Sequence, residues 1–207
     1  MIRRLCAAAV ALLGCSMAPA AKADIQLTEP EPVAFLTSHR IMPGDADALR
    51  EFLSRPRAEP LRIIYLDSRG GKTTEALQMA EMIHQQGLDT AFHVGRAHCA
   101  RECKTLFVGG IHRYCIGGAD VHDGIGIRNG LGCHPSSGGQ PLENRVNEFY
   151  QQAGVPGAPQ LRYRLYPRET VNPTSGHRDL FFASGQVAVE AGVATSLSEP
   201  SNPSLRD

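Results

Sequence analysis

The chain has 207 residues, 42% of them apolar and 20% charged, and its 21 basic and 21 acidic side chains cancel to a net charge of zero at pH 7. Neither that balance nor the net −3 left when the first 23 residues are removed (18 basic against 21 acidic) supplies the basic face that phosphate neutralisation requires, which excludes a general nucleic-acid binder. The length suits one domain with a substantial core and is short for two.

Residues 1–23 read as an export signal. Arg3 and Arg4 form a charged start, residues 5–17 are apolar but too few to span a bilayer, Pro19 breaks the apolar helix, and Ala21-Lys-Ala23 is a small-x-small cleavage site that leaves a mature chain from Asp24. A second reading stays open at Leu12-Leu-Gly-Cys15, a bacterial lipoprotein pattern that would anchor the chain through a lipid on Cys15. The first places the protein free in the periplasm; the second ties it to a membrane. No other segment approaches transmembrane length.

From Asp24 the expected elements follow in order. A short strand-forming entry over 24–31 precedes an apolar strand at 33–37. Asp45 caps a helix carrying Ala48, Leu49, Phe52 and Leu53, which Pro56 and Pro60 stop. The near-continuous apolar run 61–66 predicts a strand buried on both faces of a parallel sheet, ended by Asp67-Ser-Arg-Gly-Gly71. Ala76, Leu77, Ala80 and Ile83 line one face of a helix over 73–86, with Thr73 or Thr74 as its cap and Gly87 closing it; a strand over 89–94 follows. Alternating strands and helices predict an α/β fold with a mostly parallel sheet flanked by helices. Ile63, Leu66, Ala76, Leu77, Ala80, Phe92, Leu106, Phe107 and Val108 are its expected core.

The chain then reaches Cys99-Ala-Arg-Glu-Cys-Lys-Thr-Leu-Phe-Val-Gly-Gly110, a tight turn into a short helix with Gly109 as C-cap. Such a turn presents unpaired backbone N–H groups where negative charge is stabilised. A serine hydrolase would keep its nucleophile there. Arg101 stands in that place, and a guanidinium is permanently protonated and cannot attack a carbonyl.

A strand at 114–116 leads to a glycine-rich run, with a hairpin turn at Asn129-Gly130. A helix is expected over 141–154, a weakly patterned stretch over 156–176, a last helix over 187–193 and a flexible polar tail over 196–207; there is no internal repeat. Four cysteines follow the signal: Cys99, Cys103, Cys115 and Cys133. An even number in an exported chain favours disulfides, and all three connectivities stand. Cys99 and Cys103 lie one helical turn apart, close enough for a local bridge. His98, His112, His122 and His134 are near these cysteines, but no C-x-x-C spacing supports zinc, so neither metal nor cofactor is expected.

Four segments resemble the Clp-protease/crotonase superfamily, specifically its exported ClpP-like branch, over roughly residues 33–195. Leu66-Asp-Ser-Arg-Gly-Gly71 resembles a strand-end N-S-P-G-G whose second glycine gives an oxyanion-hole N–H. The stretch from Cys99 to Arg113 resembles C-A-S-A-C-x-x-x-F-x-A-G-x-x-R, with Arg101 at the serine. Leu131-Gly-Cys-His134 resembles the segment carrying the base, and the stretch from Ala183 to Val193 the late S-x-x-x-A-x-x-x-G-L helix. The resemblance implies a ClpP/crotonase-like domain over 24–195, with Gly70, Gly71, Arg101 and Glu102 forming a binding site and His134 in a base-like place. The chain departs from the pattern in three respects. Arg101 replaces the nucleophile, about ten residues are inserted over 120–129, and the orienting acid has no counterpart, Asp179 lying nearest.

Two functions follow as expectations. One is a catalytically degenerate serine-peptidase relative that holds a peptide or small anion in the former active-site cleft, with Gly71 and Glu102 aiming backbone N–H groups at one point. Arg101 is open to three readings: an anion-binding group, a neutral loss, or a solvated residue. Glu102 works against anion binding, because its carboxylate can pair with Arg101. The other function is a periplasmic serine hydrolase with a rearranged site. A homo-oligomer is compatible with either.

Overall fold

The computed structural model describes residues 24–30, 32–117, 124–125, 131–133, 139–156 and 181–200. Residues 1–23, expected as an export signal, most of the glycine-rich run with the hairpin turn expected at Asn129-Gly130, His134, Asp179 and almost all of the stretch over 156–176 lie outside the described residues.

The fold is built outward from β3 (Ile63–Ser68), whose first four side chains are all buried, as its apolar run requires. On one side it pairs in parallel with β2 (Val33–Ser38), which carries the antiparallel edge strand β1 (Gln26–Thr28). On its other side β3 forks. Ile63 to Tyr65 pair with β4 (Asp89–His93), while Ser68 at its end pairs with Cys99 of β5 (Cys99–Ala100). The fork exists because the chain leaves β4 in a tight turn, where Arg96 and Ala97 N–H both donate to the His93 carbonyl, and then returns to the end of β3. β4 continues the sheet to β6 (Arg113–Ile116). β5 leads through β8 (Leu131–Cys133) and β9 (Phe181–Ala183) to β7 (Gly124–Ile125). Five of these eight pairings are parallel, which makes the sheet mostly parallel.

The helices are α1 (Asp45–Leu53), α2 (Thr73–Gln85), α3 (Cys103–Val108), α4 (Gln140–Gln152) and α5 (Gly185–Glu190). The main core joins alternate sheet residues Ala34, Leu36, Ile64 and Leu66 to Leu49, Phe52, Leu77, Ala80, Leu106 and Phe107, and Phe92 meets Phe107 edge to face at 5.2 Å. Every expected core residue is buried. Ile63 belongs to a smaller cluster on the opposite face, with Tyr65, Ala91 and Tyr114. There Phe35, Tyr65 and the His93 ring stack in series, and Phe35 remains 39% exposed, so β2 is less buried than its apolar run implied.

Arg113, at the start of β6, is 6% exposed and gathers the ends of three helices. Its Nε donates to the Val193 carbonyl at 2.6 Å and its Nη1 to that of Gly110 at 2.9 Å, with longer contacts of 3.4–3.5 Å to Gly192, Ile111 and Ala153. These carbonyls follow α3, α4 and α5, where each helix leaves acceptors unpaired and the partial charge is negative. Burial lowers the Arg113 pKa.

Several expectations change. Asp45 does not cap its own helix. Gly44 is the N-cap, and the buried Asp45 carboxylate instead accepts the N–H groups of Asp24, Ile25 and Met42, tying the entry strand down. Neither Thr73 nor Thr74 is the cap of α2; Lys72 is, without a side-chain bond. The strand that feeds the Arg101 turn is β5, not the longer strand before it. The tail begins docked rather than loose, since Cys115 N–H donates to Ser196 and Gly117 N–H to Leu197 along the edge of β6. Among the described residues no helix is long and apolar enough to cross a membrane.

Candidate functional site

Two turns meet where β3 and β5 end. In the first, Gly70 takes a left-handed φ of +81° and presses on the second turn: a Cβ there would stand 2.6 Å from the Ala100 carbonyl oxygen and 2.8 Å from the Glu102 nitrogen. A Cβ on Gly71 would overlap the backbone of Ile41, whose N–H donates to Gly70 and whose carbonyl accepts from Lys72, both at 2.9 Å. Both glycines are therefore demanded by close backbone approach. Ser68, fully buried, accepts the Gly70 N–H at 3.2 Å.

The second turn centres on Arg101, the one non-glycine among the described residues with a left-handed φ, at 54°. For a side-chain-bearing residue that conformation costs about 1–2 kcal/mol. Cys99 and Cys103 brace it with a disulfide spanning the turn at a Cα separation of 5.1 Å, both cysteines buried. Of the pairings left open, the local Cys99–Cys103 bridge is the one present among the described residues. Cys115 is free and buried, and burial pushes its thiol up to about 12. The side chain of Cys133 lies outside the description. Among the described residues no group of three or more His, Cys, Asp or Glu side chains is arranged to hold a metal.

The turns bring Gly70, Gly71, Arg101 and Glu102 together, but differently from the expected pair of converging donors. Gly71 N–H donates to Glu102 Oε2 at 2.9 Å, and Glu102 Oε1 lies 3.5 Å from the Thr73 hydroxyl. The half-buried Glu102 carboxylate thereby sits at the start of the 13-residue α2, where orphan donors and the helix dipole favour an anion. Arg101 is exposed, and among the described residues it forms no ion pair with Glu102. The preference has a physical reason. A solvent-exposed pair with Arg101 is worth ~0–1 kcal/mol, against ~1.5–3 kcal/mol for a charge-assisted hydrogen bond at the helix start.

A second polar pair was not singled out from the sequence. His98, the residue before β5, donates its backbone N–H to Asp67 Oδ1 at 2.8 Å and brings its Nδ1 to 3.2 Å from the same oxygen. The other ring nitrogen, Nε2, is buried without a hydrogen-bond partner among the described residues. Asp67 ends one apolar run and His98 immediately precedes the cysteine turn, which is the only sequence signal for the pair. The same arrangement recurs between Asp89 and His112, where Nδ1 lies 3.0 Å from Oδ1, so its first role is to brace neighbouring strands. Among the described residues no nucleophilic side chain stands at the Arg101 turn itself. Ser38, whose hydroxyl is also buried without a hydrogen-bond partner among the described residues, aligns with Ser68 across the sheet.

No family model matches the sequence, and no curated protein is similar to it. Solved structures match by shape. Pseudomonas aeruginosa DspI aligns with a TM-score of 0.54 at 8% identity, covering 92% of this chain and 73% of that one. The 1510-N membrane-bound stomatin-specific protease, in a mutant form, gives 0.52 at 15%, covering 82% and 80%. An enoyl-CoA hydratase from Thermoplasma volcanium gives 0.52 at 11%, covering 86% and 73%. The fold is therefore crotonase/ClpP-like, with a mostly parallel sheet flanked by helices. At these identities the likeness concerns fold.

Proposed function

We propose that the chain is an exported, catalytically degenerate relative of serine peptidases with the crotonase/ClpP-like fold, and that it holds a peptide or small anion beside Gly70, Gly71, Arg101 and Glu102. The observation that carries this reading is Arg101 itself: an exposed, permanently charged guanidinium at a left-handed turn between two bridged cysteines. It cannot serve as a nucleophile, but it suits a carboxylate or phosphate through paired N–H bonds. The signal pattern and the disulfide agree with export to the periplasm, free or anchored through Cys15. Calorimetric titration of the mature protein with an acetylated acidic peptide tests the binding. Binding should weaken about tenfold or more in Arg101→Ala while thermal stability holds, and unchanged affinity would contradict the reading.

One observation favours the alternative of a hydrolase with a rearranged site. The His98 imidazole meets Asp67 through Nδ1 at 3.2 Å, the contact that orients a general base, and its Nε2 has no hydrogen-bond partner among the described residues. On that reading water replaces the lost nucleophile. His98→Ala would then abolish hydrolysis of activated esters by the purified protein.

A further inference from the structure

The donor at Gly71 is occupied by the chain's own carboxylate. Glu102 is held there from several directions. Its Oε2 takes the Gly71 N–H at 2.9 Å and its Oε1 approaches the Thr73 hydroxyl. Its backbone carbonyl accepts the Thr105 N–H at 2.9 Å, and the Cys99–Cys103 bridge, closing a sequence separation of 4, confines the residue to one short turn. Gly70 packs directly on its nitrogen. We propose that Glu102 is an internal competing ligand: it closes the Gly71 donor to outside carbonyl and carboxylate groups, so an acidic ligand reaches that N–H only by displacing the Glu102 side chain. The proposal rests on the functional reading above and adds the element that controls it.

Three physical points support a competitor over a simple helix cap. First, a tethered carboxylate competes at an effective concentration of roughly millimolar or more, so outside acids of ordinary affinity lose to it. Second, an alternative partner stands beside it. Arg101 is exposed, adjacent and without an ion pair among the described residues, so a displaced Glu102 has a cation to turn to. Third, the groups left behind favour an incoming anion: the Gly71 N–H, the Thr73 hydroxyl and the positive end of α2. On this reading Arg101 and Glu102 act together on the site, the first by standing where a nucleophile would and the second by filling a donor.

The test follows the Gly71 amide by two-dimensional NMR while N-acetylglycine is added to the mature protein, with N-acetylglycinamide as the neutral control. In the wild type the Gly71 resonance should stay fixed at millimolar N-acetylglycine. In Glu102→Ala it should shift and saturate, with affinity raised roughly tenfold or more, and the neutral amide should do neither. Glu102→Gln keeps an acceptor oxygen for Gly71 and preserves the turn if the alanine variant is too unstable to study; its affinity should fall between the two. Equal Gly71 shifts in wild type and Glu102→Ala, or none in either variant, would overturn the proposal. Failure of the functional reading looks different. If Arg101→Ala leaves acidic-peptide binding to the wild type unchanged while Gly71 still responds in Glu102→Ala, the competitor stands and the ligand reading falls.

Discussion

Replacing Arg113 tests the packing that holds the site's helices in place. Arg113→Met keeps most of the stem's volume but removes every donor, leaving the Val193 and Gly110 carbonyls buried without their partner. Hydrogen bonds to a charged group contribute ~1.5–3 kcal/mol each net, so losing the bonds at 2.6 and 2.9 Å should destabilise the domain by about 3–6 kcal/mol; the contacts at 3.4–3.5 Å add little. Replacing a buried ion pair by apolar side chains is often neutral, but here the acceptors are backbone carbonyls that no side-chain substitution removes. Arg113→Lys supplies a point-like ammonium able to meet one or two of them and should lose about half as much. Urea unfolding is the assay. With a slope of ~2–3 kcal/mol/M, the upper part of the usual range for a domain of this size, the methionine variant's midpoint should fall by about 1–3 M at an unchanged slope. A methionine variant within about 1 kcal/mol of wild type would refute the idea that the ends of α3 and α5 depend on this cation.

Other consequences are equally direct. Gly70→Ala and Gly71→Ala should each destabilise the fold by about 2–4 kcal/mol in the same assay, since one meets the Ala100 carbonyl at a left-handed φ and the other the Ile41 backbone; a loss under ~0.5 kcal/mol would mean that the turns do not pack as described. Native protein should show no reactive thiol from Cys99 or Cys103, and Cys115 should label only on unfolding; breaking the bridge by Cys103→Ala should cost about 2 kcal/mol for so short a loop. Alkaline pH should weaken the fold. Burial and the nearby Glu199 push Tyr65 from 10.0 up to about 12, so the folded state holds this proton more tightly than the unfolded one. Its contribution is complete below about pH 10 and is lost as pH rises towards 12, and Tyr65→Phe should flatten that part of the stability profile.

What could be read from the sequence was whatever is local in the chain. The apolar run of β3, the helical spacing of Ala76, Leu77, Ala80 and Ile83, and the expected core all rest on short-range periodicity, which follows from burial of one face or two. The two-residue β5 was missed because so short a strand has no period, and β9 lay against the start of the late motif. The detail of the site was hidden for a related reason. Glu102 to Gly71 and His98 to Asp67 each join residues 31 apart, and both contacts exist only because β3 forks to meet β5. A glutamate beside an arginine suggests an ion pair; which of the two positive partners it chooses is decided by the helix that the fork brings alongside. The local Cys99–Cys103 bridge was legible as one option from spacing alone, since it depends on little beyond one turn.

The central proposal, that Arg101 stands where a serine-peptidase relative would carry its nucleophile, is tested most directly by intact-mass measurement of the protein from Asp24 onward after incubation with a fluorophosphonate probe. The account predicts an unmodified mass under conditions that label an active serine hydrolase completely, because Arg101 occupies the turn and Glu102 fills the Gly71 donor. A stoichiometric adduct on any serine would contradict it.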